Sequence, residues 1–222
     1  MANDQRPRTN DRESTTDSPR PPTIVIGGHS RNVGKTSVVA GLIAALPEFQ
    51  WTALKITQYG HGICSANGQP CDCATNDHSW AISEEKNRDG DSDTARFLAA
   101  GAAKVWWVRT ERGRLTEAMP SIREKIKNAN NIIIESNSVV KFLRPDLYLT
   151  VLDPSTADFK TSAREFLDQA SAVILHETRN EQQWKDVSLK PIAGKPIFRI
   201  TPPPYVTPEI VRFVREKLGA RS

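Results

Sequence analysis

The stretch "IVIGGHSRNVGKTSVV" at positions 24–39 joins an apolar run to a loop that ends in Gly34, Lys35 and Thr36. The apolar run has the length and composition of a buried β-strand, and the segment that begins at Lys35 reads as an amphipathic helix. A strand, a loop and a helix in this order surround an anion with backbone N–H groups and the positive end of the helix dipole. We therefore predict a phosphate-binding loop, although the common motif has a glycine at position 29, where this chain has His29.

Outside this loop, short apolar runs alternate with helical patterns along the rest of the chain. Continuous apolar strands that alternate with helices predict an α/β fold with a mostly parallel sheet of about seven strands and helices on both faces. The predicted strands are residues 23–28, 51–56, 104–109, 131–136, 147–153, 172–176 and 195–200. The predicted helices are residues 35–46, 93–102, 115–129, 158–170 and 207–219.

Composition limits the classes of function. The 222 residues carry a formal net charge of only +4, with Lys and Arg scattered, so nucleic-acid binding is not predicted. No run of apolar residues is long enough to span a membrane, and the N-terminus lacks a signal-peptide core. Residues 1–22 are too polar to form a core, so we predict a disordered tail followed by one domain, 23–222. The three cysteines favour a reducing, cytoplasmic setting over a disulfide framework.

The loop and two acidic positions supply the predicted nucleotide and metal ligands. Lys35 is expected to reach the outer phosphates of ATP or GTP, and Thr36 to offer a hydroxyl group to Mg²⁺. Glu135 ends the strand "NIIIES", and Asp91 and Asp93 lie at a helix start, where a carboxylate also caps free N–H groups. Capping is an equally good explanation for Asp91. The remaining predicted nucleotide-binding residues are Gly28, Asn32, Val33, Gly34, Ser37 and Lys55.

The loop "GHSRNVGKT" resembles that of the dethiobiotin synthetases, which reads G-T-x-x-x-V-G-K-T, and Gly28 and Val33 match along with Gly-Lys-Thr. The resemblance implies the P-loop class that also contains MinD-like ATPases, nitrogenase iron proteins and metallochaperone GTPases. Many members have a lysine at the position of Ser30, which this chain lacks. A dimer that uses such a lysine is therefore not predicted, while a homodimer of another kind stays open.

The stretch D-T-x-R-x-x-x-A-G-A, which begins at Asp93, resembles the molybdopterin-guanine dinucleotide biosynthesis B proteins, as do "ALKIT" and "IIIES" around it. The resemblance covers about residues 23–153. Together with the dethiobiotin synthetases, it implies that Thr36, Asp93 and Glu135 hold Mg²⁺, and that Lys35, Asp93 and Glu135 are the catalytic residues. Lys55 resembles a lysine that faces the phosphate or the substrate in both families; its alternative is a solvated lysine at a strand end.

Five potential metal ligands lie together in a polar loop at about residues 57–90, namely His61, Cys64, Cys71, Cys73 and His78. Three thiolates and one imidazole would complete a tetrahedral Zn²⁺ site, with His78 or His61 as the fourth ligand. A loop with incidental thiols is the alternative. The grouping of all three cysteines here favours the metal.

These features predict Mg²⁺-dependent binding and hydrolysis of a nucleoside triphosphate. The resemblance to the B proteins implies a role in molybdopterin guanine dinucleotide assembly, together with a partner enzyme. The alternatives are a ligase or kinase of the dethiobiotin synthetase type, a nucleotide-gated metallochaperone, and a nucleotide-binding module that acts only by docking. ATP and GTP are not distinguished, since "ILHETRN" at 174–180 lacks the Asn-Lys-x-Asp element of guanine-specific members.

Overall fold

The computed structural model describes residues 20–59, 79–178, 184 and 187–220. The strands are β1 (Thr23–Gly28), β2 (Trp51–Tyr59), β3 (Trp80–Glu84), β4 (Lys104–Glu111), β5 (Asn131–Glu135), β6 (Leu147–Leu152), β7 (Ala172–His176) and β8 (Ile197–Ile200). The helices are α1 (Lys35–Ala45), α2 (Asp93–Ala99), α3 (Leu115–Ile126), α4 (Thr161–Glu165) and α5 (Pro208–Gly219).

Within the described ranges, eight strands form one sheet in the order β3-β4-β2-β5-β1-β6-β7-β8. All neighbouring pairs are parallel except β3 and β4, which are antiparallel. The predicted α/β class with a mostly parallel sheet is confirmed. Since β1 lies between β5 and β6, the loop that follows it opens beside the ends of both neighbours.

The sheet separates two apolar layers, as a strand with both faces buried requires. Along β1, Ile24 and Ile26 belong to the layer that contains α1, α2 and α5, whereas Val25 belongs to the layer that contains α3. All three side chains are fully buried. Helices therefore cover both faces, as the continuous apolar character of the strands predicts.

The predicted loop at 57–90 is wrong at residues 57–59 and 80–84, which belong to strands, whereas the described residues 85–90 lie outside any helix or strand. Strand β2 continues to Tyr59, and β3 pairs with Trp106–Thr110 of β4 at the edge of the sheet. Arg109 Nη1 donates a hydrogen bond to Ser83 Oγ (2.9 Å) across this pair. β3 is short and lies among polar residues, so its pairing with a distant strand, rather than its own composition, determines its structure.

The predicted helix at 158–170 is also shorter in the structure. Only Thr161–Glu165 is α-helical, and a 3-10 turn follows at Leu167–Gln169. The residues before it are engaged elsewhere: the backbone N–H of Lys160 donates to the carbonyl of His29 (2.8 Å) in the loop after β1. This contact keeps residues 158–160 out of the helix and against the loop.

Candidate active site

A cleft of about 980 Å³ opens at the carboxyl ends of the parallel strands, above β1, β2 and β5. Ligands of open α/β sheets bind at this edge, because loops from neighbouring strands diverge there. Six cationic side chains and three carboxylates line the cleft: Arg31, Lys35, Lys55, Arg96, Arg112 and Lys160, with Asp93, Glu135 and Glu165. The excess of positive charge suits an anionic ligand.

The loop between β1 and α1 reaches its shape through two left-handed backbone positions. Asn32 has φ 58° and Gly34 has φ 89°, a region in which glycine is favoured and asparagine is tolerated. A Cβ atom on Gly34 would also lie 2.5 Å from Cδ1 of Tyr205. Gly34 is therefore required both by its backbone angle and by the aromatic ring that packs against it.

His29, at the position where the common motif has glycine, is a buried structural residue. Its Nε2 accepts the backbone N–H of Asp153 (3.0 Å), so its proton lies on Nδ1, which donates to the carbonyl of Asp158 (2.7 Å). The ring contacts Phe159 and Trp184, with centroids 5.1 and 5.0 Å away. Burial lowers the pKa of His29, which favours this neutral tautomer. The residue thus fastens the loop to the segment after β6.

Asn137, which the sequence reading missed, fastens the start of the same loop. Its Oδ1 accepts the backbone N–H of Gly28 (2.8 Å), and its Nδ2 donates to the carbonyl of Gly28 (2.9 Å). A Cβ atom on Gly28 would approach Val33 Cγ2 to 2.9 Å and the carbonyl of Val151 to 3.0 Å, so the backbone is tightly enclosed. The position of Asn137 two residues after the acid that ends β5 is the signal that the sequence contains for this role.

Two of the predicted nucleotide-binding residues do not line the cleft. Val33 is fully buried in the apolar core, and the polar backbone atoms of Gly28 are used by Asn137. Both shape the loop from beneath. Asn32 and Ser37, by contrast, are at the cleft surface, as are the remaining predicted residues Gly34, Lys35, Thr36 and Lys55.

The side chain of Lys35 lies over the loop. Its ammonium donates to the carbonyl of Ser30, whose hydroxyl donates in turn to Asp158 Oδ2 (2.6 Å). Burial lowers the pKa of Lys35 to about 8, while the nearby Glu135 carboxylate acts in the opposite direction. A desolvated ammonium beside the free N–H groups of a helix start is suited to binding an anion that replaces its lost hydration.

Thr36, Asp93 and Glu135 are brought together around the ammonium of Lys55. Lys55 Nζ lies 2.5 Å from Asp93 Oδ2, 2.9 Å from Glu135 Oε1 and 3.5 Å from Thr36 Oγ1. Thr36 Oγ1 donates to Glu135 Oε2 (2.8 Å). Lys55 lies next to Glu135 because the two residues are paired in the register of β2 beside β5. β2 continues four residues beyond Lys55, so Lys55 is not at the strand end. Lys55 is an ion-paired residue with 18% of its side chain exposed, not a solvated lysine at a strand end.

Helix α2 presents Asp93 to this cluster. The N-cap is Ser92, whose hydroxyl accepts the backbone N–H of Ala95 (3.0 Å), so the capping role considered for Asp91 belongs to its neighbour. Arg96, one turn along the helix, donates to Ser37 Oγ (3.0 Å) at the start of α1. This contact links the two helix starts and leaves the carboxylate of Asp93 directed at Lys55.

The predicted zinc ligands His61, Cys64, Cys71, Cys73 and His78 lie outside the described residues, as do the last two residues of the stretch "ILHETRN". In the part of the chain that the structure covers, no group of three or more His, Cys, Asp or Glu residues could hold a metal ion. Within the same part, no helix has both the length and the apolar character that a membrane span needs.

No protein-family model matches the sequence, and no curated protein matches it. Among solved structures, LpxK from Aquifex aeolicus in complex with ATP is 18% identical, with 81% of this chain and 53% of that chain covered and a TM-score of 0.46. HypB from Helicobacter pylori in complex with nickel is 14% identical, with 89% of this chain and 86% of that chain covered and a TM-score of 0.49. MobB from Bacillus subtilis is 15% identical, with 89% of this chain and 97% of that chain covered and a TM-score of 0.34.

The chain thus spans about half of the length of the LpxK chain. The matched structures are P-loop NTPases, the class that the sequence resembles. At these identities the likeness concerns the fold alone.

Proposed function

We propose that this protein binds a nucleoside triphosphate together with Mg²⁺ and promotes transfer of the terminal phosphoryl group to water. The observation that carries the proposal is the convergence of Thr36, Asp93 and Glu135 around one ammonium group beside Lys35. A cation site next to a phosphate-binding loop is the arrangement that phosphoryl transfer needs, since catalysis there depends on position and charge.

The donor set fits magnesium. Two carboxylates and a hydroxyl group supply the hard oxygen ligands that Mg²⁺ prefers, and the Lys55 ammonium marks the position as one that already attracts a cation. When bound, Mg²⁺ would supply charge neutralisation at the phosphate oxygens. Thr36, Asp93 and Glu135 would hold it directly or through water, and Lys55 shares the same oxygens.

The two lysines have different roles in this proposal. Lys35 is partly desolvated and, among the described residues, binds only a loop carbonyl, so its charge is available to the phosphate chain. Lys55 is already neutralised by Asp93 and Glu135. Lys55 therefore keeps two neighbouring carboxylates together when the nucleotide is absent, and becomes available to the phosphates when another cation takes its place.

A role in molybdopterin guanine dinucleotide assembly, with a partner enzyme, is the physiological part of the proposal. It is supported by the resemblance of the stretch from Asp93 to Ala102 to the B proteins. A ligase or kinase of the dethiobiotin synthetase type is the second candidate, since the cleft extends beyond the loop to a further group of cations. Delivery of a metal by the cysteine loop stays a prediction.

The test is nucleotide binding and turnover in a matched pair of lysine variants. Lys35→Ala removes the charge at the phosphates, whereas Lys104→Ala removes an exposed lysine at the amino end of β4, on the far edge of the sheet. We expect Lys35→Ala to weaken binding of ATP or GTP about ten- to hundredfold and to abolish Mg²⁺-dependent hydrolysis. Lys104→Ala should match the wild type. Equal affinity and turnover in the two variants would overturn the proposal.

A further inference from the structure

Three cations that line the cleft, Arg31, Arg112 and Lys160, form no ion pair or hydrogen bond with the described acid cluster around Lys55. We propose that they form a second anion subsite, which holds a phosphate or carboxylate group of a second substrate beside the terminal phosphate of the nucleotide. The inference rests on the proposed function, because it places the second substrate relative to that nucleotide. A molecule held there would be positioned to accept the phosphoryl group in place of water, as in the ligase or kinase alternative.

These three side chains form no ion pair or side-chain hydrogen bond with any residue that the structure describes. The contrast with the rest of the cleft is clear, since Lys55 is paired with two carboxylates and Arg96 is bonded to Ser37. Cations that share a cleft without forming an ion pair repel one another, and a bound anion relieves that repulsion. The arrangement is therefore suited to an anionic ligand.

Lys160 lies within electrostatic range of both arginines, although the three residues come from separate parts of the chain. Burial lowers the pKa of Lys160, the charges of Arg31 and Arg112 act in the same direction, and the carboxylates of Asp158 and Glu135 act in the opposite direction. The nearby carboxylates already have hydrogen-bond partners. Asp158 accepts a hydrogen bond from the hydroxyl of Ser30, and Glu135 accepts hydrogen bonds from Thr36 and Lys55. Glu165 lines the same cleft without an ion pair to the three cations.

Backbone contacts fix two of the cations in place. The N–H of Arg112 donates to the carbonyl of Tyr59 (2.8 Å) just beyond β4, and the N–H of Lys160 donates to the carbonyl of His29 (2.8 Å). Arg31 lies within the phosphate-binding loop itself. The subsite is thus built on the ends of β4 and β6 and spans the cleft above β2, β5 and β1. The backbone at Arg112 and Lys160 is therefore already held in place before a ligand binds.

The position of the subsite relative to Lys35 determines what it can do. Lys160 and Lys35 line the same cleft, and the charge of Lys160 contributes to the lowered pKa of Lys35. An anion held by Arg112 and Lys160 would therefore lie beside the phosphate that Lys35 holds. The planar guanidinium groups of Arg31 and Arg112 suit bidentate recognition of a phosphate or carboxylate.

The test is calorimetric titration of small anions into the full chain, first saturated with ADP and Mg²⁺ and then with a non-hydrolysable ATP analogue and Mg²⁺. Glycerol 3-phosphate and succinate serve as the phosphate and carboxylate probes. The variants are Arg112→Gln and Lys160→Gln, with Lys104→Gln as the control. We expect one probe to bind in both nucleotide states, and each cleft variant to weaken it about tenfold or more. Nucleotide affinity should change less than about threefold, because the phosphate loop is intact.

Two outcomes would overturn the inference. The first is that neither probe binds the nucleotide-loaded protein. The second is that the variants weaken binding of the ATP analogue as much as binding of the probe, which would assign the cations to the terminal phosphate. A Lys35→Ala background separates this result from failure of the proposed function. If the wild type binds no nucleotide, the proposed function fails. The subsite is still supported if a probe binds the Lys35→Ala variant but does not bind the variant that combines Lys35→Ala with Arg112→Gln.

Discussion

The loop between β1 and α1 has a front segment, residues 28–30, and a rear segment, residues 32–34, that are stabilised in different ways. The front segment is held by other parts of the chain, through Asn137 at Gly28 and through Asp153 and Asp158 at His29. The rear segment has two left-handed backbone positions and is anchored by Val33, which is buried in the core.

This difference explains how the loop tolerates the longer glycine spacing. A glycine at position 29 is unnecessary because the backbone N–H and carbonyl of His29 are bonded to Val151 and Lys160, and its side chain anchors the loop. At Gly34, directly before the helix, no side chain fits against Tyr205. Glycine is therefore required at both ends of the loop, at Gly28 by the close approach of Val33 and the carbonyl of Val151 and at Gly34 by Tyr205 and the positive φ, but not at position 29.

The largest effect is expected from His29→Ala in the front segment. The change removes two hydrogen bonds, leaves the N–H of Asp153 and the carbonyl of Asp158 unpaired, and creates a cavity beside Phe159 and Trp184. We expect the free energy of unfolding to fall by about 3 kcal/mol, measured by chemical denaturation. An exposed change far from the loop, Lys104→Ala, should shift it by less than about 0.5 kcal/mol. A loss below about 1 kcal/mol in His29→Ala would show that the front segment does not depend on this anchor.

Much of the fold could be predicted because buried strands have a local signal. The apolar runs identified the seven strands of the parallel part of the sheet, and the shared edge of their carboxyl ends explains why Thr36, Asp93 and Glu135 lie together. β3 was missed because its structure depends on pairing with β4.

The supports of the site could not be predicted in the same way. Asn137 and Gly28 are 109 positions apart, and His29 and Asp158 are 129 apart, so neither contact leaves a periodic pattern in the sequence. Lys55 was recognised as a candidate only by resemblance. Its ion pairs depend on the register between β2 and β5, which the composition of the strands does not specify.

A smaller effect is expected from Gly34→Ala in the rear segment, and Gly113→Ala is its matched control. Both glycines have nearly the same positive φ, 89° and 88°, but only Gly34 faces a side chain. Gly113→Ala should cost about 1–2 kcal/mol of stability from backbone strain alone. Gly34→Ala should add displacement of Tyr205 and weaken nucleotide binding about tenfold. Equal nucleotide affinity in the two variants would mean that the rear segment adapts without loss of the phosphate site.

At neutral pH the smallest effect concerns the charge of Lys35, which is seen only as a pH dependence of nucleotide binding. The pKa of about 8 in the free protein means that Lys35 is charged at pH 7 and increasingly neutral above pH 8. Bound phosphates favour the ammonium form and raise this pKa, so binding takes up a proton above pH 8. Affinity should therefore be constant below about pH 7.5 and fall by up to about tenfold per pH unit above pH 8.

Lys35→Arg provides the control for this pH dependence, because a guanidinium group keeps its charge throughout the range. Its nucleotide affinity, measured by titration from pH 7 to 9.5, should be weaker overall but independent of pH. An identical slope in Lys35→Arg and in the wild type would assign the titration to another group. A flat profile in both would mean that the hydrogen bond from Lys35 to the carbonyl of Ser30 persists when the nucleotide binds, and that Lys35 does not hold the phosphates.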